Sequence, residues 1–224
     1  DNVVIATGSP ASCLSGENSY DLVKDLDLKM TKLYPSLVQI KTMPAYPKLK
    51  GVRIKCQASL YIEEKLIESQ TGEVLFTDQG LSGICIMQLS RLLPDNYRKA
   101  EISLDLLDDF DEIEVKNLLE QRLQKYNNYY LEGIFNDKLA KVLINVENLK
   151  DVRFKVLKTY GYQKAQVMRG GVSLEEVNEN LECLKYPGIY IAGEVLDVDG
   201  DCGGYNLHFA FASGYHIAKT ILNK

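Results

Sequence analysis

The chain has 224 residues, of which 46% are hydrophobic and 25% are charged, the balance of a soluble globular protein. Its formal net charge of −5 opposes binding to nucleic acid, which needs a basic surface. No apolar run approaches the roughly 20 residues of a membrane span, and no secretory signal is visible. Five widely spaced cysteines and two histidines predict neither a disulfide framework nor a metal site, and we expect a cytoplasmic protein.

The first part of the chain is predicted to form a strand, a helix and a strand-rich region. Residues 3–6 are an apolar run that ends in a glycine turn, the pattern of a short buried strand. Helical spacing predicts a helix within residues 17–29. The alternating residues 52–77 predict a meander of strands with a turn at Thr71-Gly72.

The second part alternates helices and strands. Residues 81–93 are predicted as a helix with Ser82 as its N-cap. Residues 109–145 have acidic residues first and basic residues later, which suits the dipole of a helix and predicts a small helical subdomain. The remaining predicted elements are a strand over 100–107, strands within 151–172, a buried strand over 188–195 and a last helix over 205–222.

A glycine cluster separates the last predicted strand from the last predicted helix. The stretch "GEVLDVDGDCGGYNLHFAFASG", residues 193–214, contains five glycines. The first N–H groups of a helix lack internal partners, and glycines allow a ligand to approach the backbone closely. This pattern indicates a site for a phosphate or for the pyrimidine edge of a flavin, or else a tightly packed loop without a ligand.

Four segments resemble, in order, the motifs of the BaiN/YhiN-type flavoproteins, a family of NAD(P)/FAD-dependent oxidoreductases. They are "VVIATGS" from residue 3, "GEVLFTDQGLSG" from residue 72, "AQVMRGGVSLEEVNENLECLKYPGIYIAGE" from residue 165 and "GIYIAGEVLDVDGDCGGYNLHFAFASG" from residue 188. Four ordered motifs are far more specific than any one of them. The chain departs from the family at Ser9, which replaces a glycine of the ATGG turn, and at "ENSY", residues 17–20, which replaces GDGY.

The resemblance implies an α/β fold. It combines a partial Rossmann-like FAD-binding domain with an inserted domain that has a β-barrel-like part and a small helical part. Residues 1–33 and 164–224 would be the later pieces of the FAD-binding domain. Residues 34–163 would be the insert, strand-rich over 34–108 and helical over 109–150. The dinucleotide fingerprint would lie in an N-terminal segment missing from this chain, so we expect a fragment that binds FAD weakly or not at all by itself.

The resemblance also implies which residues lie along FAD. Ala6, Thr7 and Gly8 would lie near the phosphates or the ribose. Gly193 and Glu194 would lie beside the ribityl and pyrophosphate region, with Glu194 accepting a hydrogen bond from a ribityl hydroxyl. The start of the last helix would direct backbone N–H groups at the O2 edge of the flavin, and these groups would favour the reduced, anionic ring. The residues at this helix start are Gly203, Gly204, Tyr205, Asn206 and Leu207.

Three further side chains are candidates for contact with substrate, each with a plainer alternative. Arg169 would meet an anionic substrate or form a surface ion pair. Cys202 would be a reactive thiol or a small filling residue. His208 would face the flavin or the substrate, or be a solvated or packing residue in the first turns of the helix. No catalytic acid or base is singled out.

The expected function is therefore the C-terminal portion of an FAD-dependent oxidoreductase. It would pass electrons from NADH or NADPH through the flavin to a small molecule, without nucleic-acid or membrane partners. A flavin-free binding or scaffolding module that keeps the family fold is the alternative. A flavin enzyme that modifies RNA is a third reading, which the acidic charge opposes.

Overall fold

The computed structural model describes residues 1–12 and 20–223. Its ten strands are β1 (Val3–Ile5), β2 (Tyr34–Ser36), β3 (Ile40–Met43), β4 (Arg53–Ile62), β5 (Lys65–Phe76), β6 (Gly80–Ser82), β7 (Ala100–Asp105), β8 (Val152–Thr159), β9 (Val167–Arg169) and β10 (Ile189–Ile191). Its α-helices are α1 (Asp21–Asp25), α2 (Ile84–Ser90), α3 (Glu112–Tyr126), α4 (Asp137–Leu143) and α5 (Tyr205–Leu222). Short 3₁₀ helices lie at Pro47–Leu49, Tyr97–Lys99, Asn127–Tyr129, Tyr162–Lys164, Leu174–Glu176 and Gly193–Val195.

The described chain divides into two compact units. One contains residues 1–38 and 160–224, and the other contains residues 39–159. The first unit is therefore built from both ends of the sequence. The roles assigned to these parts, an interrupted FAD-binding domain and its insert, stay predictions.

The unit of residues 39–159 is built around a closed six-stranded barrel in the order β3-β6-β5-β4-β7-β8. The barrel confirms the β-barrel-like part that the family resemblance implied. Every neighbouring pair is antiparallel. Alternate residues of the long strands point inward, and the barrel interior holds Leu60, Ile102 and Phe154, each at most 1% exposed.

The turn predicted at Thr71-Gly72 is wrong. Strand β5 runs through these residues, and Gly72 pairs with Cys56 of β4. The chain reverses instead at Glu63 and Glu64, whose φ angles are +49° and +66°, the pattern of a two-residue turn that joins adjacent strands. Gly72 serves packing, because a Cβ at this position would lie 2.9 Å from the Sγ of Cys85.

The N-cap predicted for the next helix is also wrong. Ser82 belongs to β6 and pairs with Leu75 of β5, so tertiary strand pairing takes the residue that the local pattern assigns to the helix. The N-cap of α2 is Gly83, with a φ angle of +97°. A Cβ on Gly83 would lie 2.4 Å from the backbone O of Glu73, so only glycine fits between α2 and β5.

The predicted helical subdomain is present as α3 and α4. A capping box starts α3: the N–H of Glu114 donates to Asp111 Oδ1 at 2.8 Å, and the N–H of Asp111 donates to Glu114 Oε2 at 2.9 Å. Asn136 caps α4 by accepting from the N–H of Leu139 at 3.0 Å. The acidic residues around position 111 thus begin a helix, as their order predicts.

The unit of residues 1–38 and 160–224 contains two small sheets. β1 and β10 pair in parallel, with Val4 opposite Tyr190, and β2 and β9 pair antiparallel, with Tyr34 opposite Arg169. α1 occupies only part of the helix predicted within 17–29, and residues 17–19 of the "ENSY" turn lie outside the described residues. The parallel pair joins residues almost 190 positions apart and places the turn after β1 beside the turn after β10.

Helix α5 has the bounds predicted from the sequence. It packs on β10 through Ile217, which clusters with Tyr190 and Ala192. Its opposite face exposes Leu207, Phe211 and Tyr215. None of the described helices combines the length and the apolar character that a membrane span requires.

Candidate functional site

A cavity of about 310 Å³ lies at the start of α5, within the unit built from the two ends of the chain. Six of the predicted site residues line it: Glu194, Cys202, Gly203, Gly204, Asn206 and Leu207. Leu37 and Gln166 complete part of the wall. Seven other predicted residues do not belong to the described lining: Ala6, Thr7, Gly8, Gly193, Tyr205, Arg169 and His208. The structure therefore gathers Gly203, Gly204, the helix start and Glu194 around one volume.

The start of α5 carries no side-chain cap. Its N-cap, Gly204, has a φ angle of +96° and no side chain that could accept a hydrogen bond. The N–H of His208 bonds to the O of Gly204 at 2.8 Å. In the described part of the chain, no hydrogen bond reaches the backbone N–H groups of Tyr205, Asn206 and Leu207. Asn206 and Leu207 line the cavity, so their N–H groups and the helix dipole give this part of its wall hydrogen-bond donors and a positive potential.

The side chain of Asn206 holds the glycine-rich loop against the helix. Its Oδ1 accepts from the N–H of Gly200 at 2.7 Å, and its Nδ2 donates to the O of Gly200 at 2.9 Å. A Cβ on Gly200 would lie 3.1 Å from the Cβ of Tyr205. The side chain of Asn206 thus holds the loop, and its contact with a ligand stays a prediction.

Glu194 joins the turn after β10 to three other segments. One carboxylate oxygen, Oε1, accepts from the N–H of Met168 at 2.8 Å, and the carboxyl group also receives a hydrogen bond from Ser9. The backbone O of Glu194 accepts from the hydroxyl of Tyr20 at 3.3 Å. A carboxylate has about four acceptor positions, so these two bonds do not use all of them. The contact between Glu194 and a ribityl hydroxyl stays a prediction.

Burial perturbs the acid–base behaviour around this turn. Burial raises the pKa of the Glu194 carboxyl above its ordinary value, and the charge of Asp199 acts in the same direction, while the bonds from Met168 and Ser9 lower it. Burial also raises the pKa of Tyr20, helped by the charges of Glu194 and Asp197. Tyr20 is fully buried and stays a neutral hydrogen-bond donor to Glu194.

The "RGGV" segment positions β9 and the turn after β10 through glycines that admit close backbone contact. A Cβ on Gly170 would lie 2.2 Å from the backbone O of Lys32, and a Cβ on Gly171 would lie 2.5 Å from the backbone O of Val195. Gly170 also donates its N–H to Asp197 Oδ1 at 3.0 Å. Both glycines therefore allow close backbone packing that residues with a Cβ would prevent.

The turn after β1 lies next to the Glu194 carboxyl rather than in the cavity wall. Ala6 and Thr7 are exposed, and Gly8 has a φ angle of +73° with nothing within 4 Å of the position of a Cβ. Ser9, the departure from the family's glycine, supplies the hydroxyl that bonds to Glu194. A contact between FAD and residues 6–8 stays a prediction.

The three candidate substrate residues lie in different surroundings. The guanidinium of Arg169 stacks on the ring of Tyr34 at 4.5 Å from the ring centroid. Cys202 is half-buried, and its Sγ lies 3.7 Å from Gln166 Oε1 at the cavity. His208 is exposed on α5. Only Cys202 of these three lines the described cavity, and the roles of all three stay predictions.

Three residues that contact Glu194 or line the cavity were not predicted there from the sequence. Ser9, Tyr20 and Gln166 come from segments far from the glycine cluster, and no local pattern links them to it. Leu37 is buried at the cavity with a φ angle of +48°, which is uncommon for a residue with a side chain. The described residues contain no group of three or more histidine, cysteine or acidic side chains arranged to hold a metal ion.

The sequence was compared with known protein families. Residues 1–220 match the family model described as "HI0933-like protein Rossmann domain". The chain belongs to the HI0933-like family. The match confirms the resemblance to the BaiN/YhiN-type flavoproteins and the Rossmann-like character of the fold, because it covers all four motifs on which that resemblance rests.

Three curated relatives are similar to this member of the HI0933-like family. A 3-dehydro-bile acid delta(4,6)-reductase of Clostridium scindens is 29% identical over 98% of this chain and 62% of its own length. Ribosomal RNA dihydrouridine synthases of Escherichia coli and Haemophilus influenzae are 29% and 31% identical over 70% and 67% of this chain, and over 45% and 42% of their own lengths. The chain thus spans less than two thirds of the length of each relative.

Proposed function

We propose that this chain is the flavin-side portion of an FAD-dependent oxidoreductase. The observation that carries the proposal is the uncapped start of α5, whose N–H groups stand at a cavity of about 310 Å³. That volume lies at the lower end of the range for small-molecule sites. The names of the relatives, a reductase and two dihydrouridine synthases, all denote addition of hydrogen to their substrates.

The residues around the cavity fit a flavin. A side chain at Gly204 would project into open space, so the glycine leaves the helix start accessible to a planar ring. The backbone N–H groups of residues 205–207 would donate to the pyrimidine edge of the ring. Glu194 would accept from a hydroxyl of the ribityl chain. A flavin would supply hydride and electron transfer there, and the fixed N–H groups of this chain would favour its reduced, anionic form.

The electron donor in this proposal is NADH or NADPH, and the acceptor is a small molecule with a reducible double bond, in the cytoplasm. The name of the Clostridium scindens relative favours this acceptor class. The names of the other two relatives favour uridine in ribosomal RNA, which is the second candidate. The net charge of −5 opposes the RNA substrate, because a polyanion would be repelled.

Further polypeptide of the same protein is the proposed partner of this chain. Val3 and Val4 of β1 are 54% and 45% exposed, and Leu207, Phe211 and Tyr215 of α5 are 63% or more exposed. Parallel sheets are normally covered on both faces, and a two-stranded sheet alone is marginal. A strand beside β1 and a helix beside α5, from the region that the longer relatives possess, would cover these residues.

The test is spectroscopic and uses the full-length protein. We expect the purified protein to show flavin absorbance bands, to release FAD on denaturation, and to bleach under anaerobic NADH or NADPH. Reoxidation by an unsaturated ketone or by uridine-containing ribosomal RNA then separates the two acceptor classes. A colourless protein that added FAD cannot reconstitute contradicts the proposal and supports a flavin-free binding or scaffolding module.

A further inference from the structure

A buried serine in α5 is hydrogen-bonded to the turn that leads into the cavity. Ser213 lies in the third turn of the helix and is 3% exposed. Its Oγ accepts from the N–H of Gly193 at 2.9 Å and donates to the O of Ala210 at 3.0 Å. A serine inside a helix usually bonds only to its own helix, so the bond from Gly193 adds a link between two chain segments.

This link connects two walls of the cavity. Gly193 has a φ angle of +72°, and a Cβ there would lie 3.5 Å from the Cβ of Ala210, so the turn packs directly on the helix. The next residue, Glu194, lines the cavity, as does the first turn of α5. Ser213 lies eight residues from the start of α5, about 12 Å along a rigid helix. Its bond therefore sets the axial position of the helix start relative to Glu194.

We propose that Ser213 is a positioning residue that fixes the uncapped N–H groups of α5 relative to the Gly193–Glu194 turn. In this way it sets the affinity and the reduction potential of a flavin held between them. The inference rests on the proposed function, because the flavin is the ligand of that function. The structural link itself is a property of the chain without any ligand.

Replacing Ser213 by alanine removes the acceptor and leaves the buried N–H of Gly193 without its partner. When a buried N–H donor loses its acceptor, the equilibrium between the closed and the locally opened structure typically shifts about tenfold toward the opened one. We therefore expect at least tenfold faster amide exchange at Gly193, about tenfold weaker FAD binding, and a more negative flavin potential. The potential falls because displaced N–H groups stabilise the reduced ring less.

The chain offers a matched control in Ser90 of α2. Ser90 is 5% exposed and donates to the O of Met87 at 2.7 Å, the same bond within a helix that Ser213 makes, but it belongs to the barrel unit. Ser90→Ala thus removes a buried serine hydroxyl from a residue that does not line the cavity. Ser213→Thr keeps the hydroxyl, and Ser213→Cys keeps the shape but offers only a weak acceptor.

The first experiment needs no flavin. Amide exchange at Gly193 is measured by NMR in the wild-type chain and in the four variants. We expect protection to be lost in Ser213→Ala, reduced in Ser213→Cys, restored in Ser213→Thr and unchanged in Ser90→Ala. Unchanged protection in Ser213→Ala, or an equal loss in Ser90→Ala, overturns the proposal. If Ser213→Ala does not fold, Ser213→Cys decides by the same criterion.

The second experiment uses the full-length protein loaded with FAD. FAD affinity and midpoint potential are compared among the same variants. A change in both for Ser213→Ala, with rescue by Ser213→Thr and none in Ser90→Ala, supports the positioning role. Wild-type values in Ser213→Ala overturn it. A wild-type protein that binds no FAD refutes the proposed function instead. The two failures can be distinguished because the amide exchange at Gly193 is measured without flavin.

Discussion

Substituting alanine for two glycines of the same unit should change stability in opposite directions. At Gly171 a Cβ would lie 2.5 Å from the O of Val195 and 2.8 Å from the C of Leu196, both backbone atoms that cannot rotate away. These atoms belong to a bridge in which the N–H of Val172 bonds to Val195 O at 2.8 Å. At Gly214, inside α5, nothing lies within 4 Å of the position of a Cβ.

The magnitudes follow from these contacts. Overpacking at Gly171 costs about 1–3 kcal/mol, and weakening the adjacent backbone hydrogen bonds costs about 1 kcal/mol more, so Gly171→Ala should lower the free energy of unfolding by about 2–4 kcal/mol. Gly214→Ala should raise it by up to about 1 kcal/mol, because alanine is the better helix former.

Urea unfolding followed by tyrosine fluorescence measures both changes, since the chain has 14 tyrosines and no tryptophan. The matched pair separates contact at the turn from a general effect of added methyl groups. An unchanged urea midpoint for Gly171→Ala, or a lower one for Gly214→Ala, would refute this explanation of the packing at these glycines.

Three further outcomes are expected. Because the pKa of Glu194 is raised in the folded chain, its contribution to stability is fully present below pH 4.5, the ordinary pKa of a glutamate, and is lost as the pH rises through the folded pKa. Glu194→Gln should remove this pH dependence. The measurement is the difference in unfolding free energy between the wild type and the variant across this pH range. At about pH 8, iodoacetamide should modify half-buried Cys202 in the folded chain well before Cys56, because burial raises the pKa of Cys56 to about 12. Peptide mass spectrometry gives the order of modification. Equal rates at the two cysteines would contradict this prediction. Asp111→Ala removes the capping box of α3 and should lower the free energy of unfolding by about 1 kcal/mol in the same urea assay. Glu112→Ala leaves the box intact and removes only a favourable interaction of its charge with the helix dipole, so it should lower that free energy by less, about 0.3 kcal/mol.

The elements predicted well are those with strong local signals. The glycine cluster and the apolar spacing that follows it gave α5 its correct bounds, and the order of charges located α3. The predicted turn at Thr71-Gly72 failed because the glycine serves packing against Cys85, while the real turn uses Glu63 and Glu64, which lack the usual turn residues.

The place of the cavity could be predicted for the same reason, whereas the ligand contacts assigned to its residues stay predictions. The cavity forms where the local pattern of the glycine cluster and helix start placed it. The partners of Glu194 were missed because Ser9, Tyr20 and Met168 reach it only through folding of both chain ends into one unit. A one-dimensional pattern carries no signal for such contacts, and the same holds for the bond between Gly193 and Ser213.

In the proposed function, the open amide groups at the start of α5 receive the pyrimidine edge of a flavin. The most direct measurement is a crystal structure of the full-length protein with FAD, in which the distances from the flavin O2 to the backbone N atoms of residues 205–207 are read. We expect at least one of these distances to be a hydrogen-bonding distance of about 3 Å. A flavin bound elsewhere, or a helix start covered by the protein's own side chains, would contradict it.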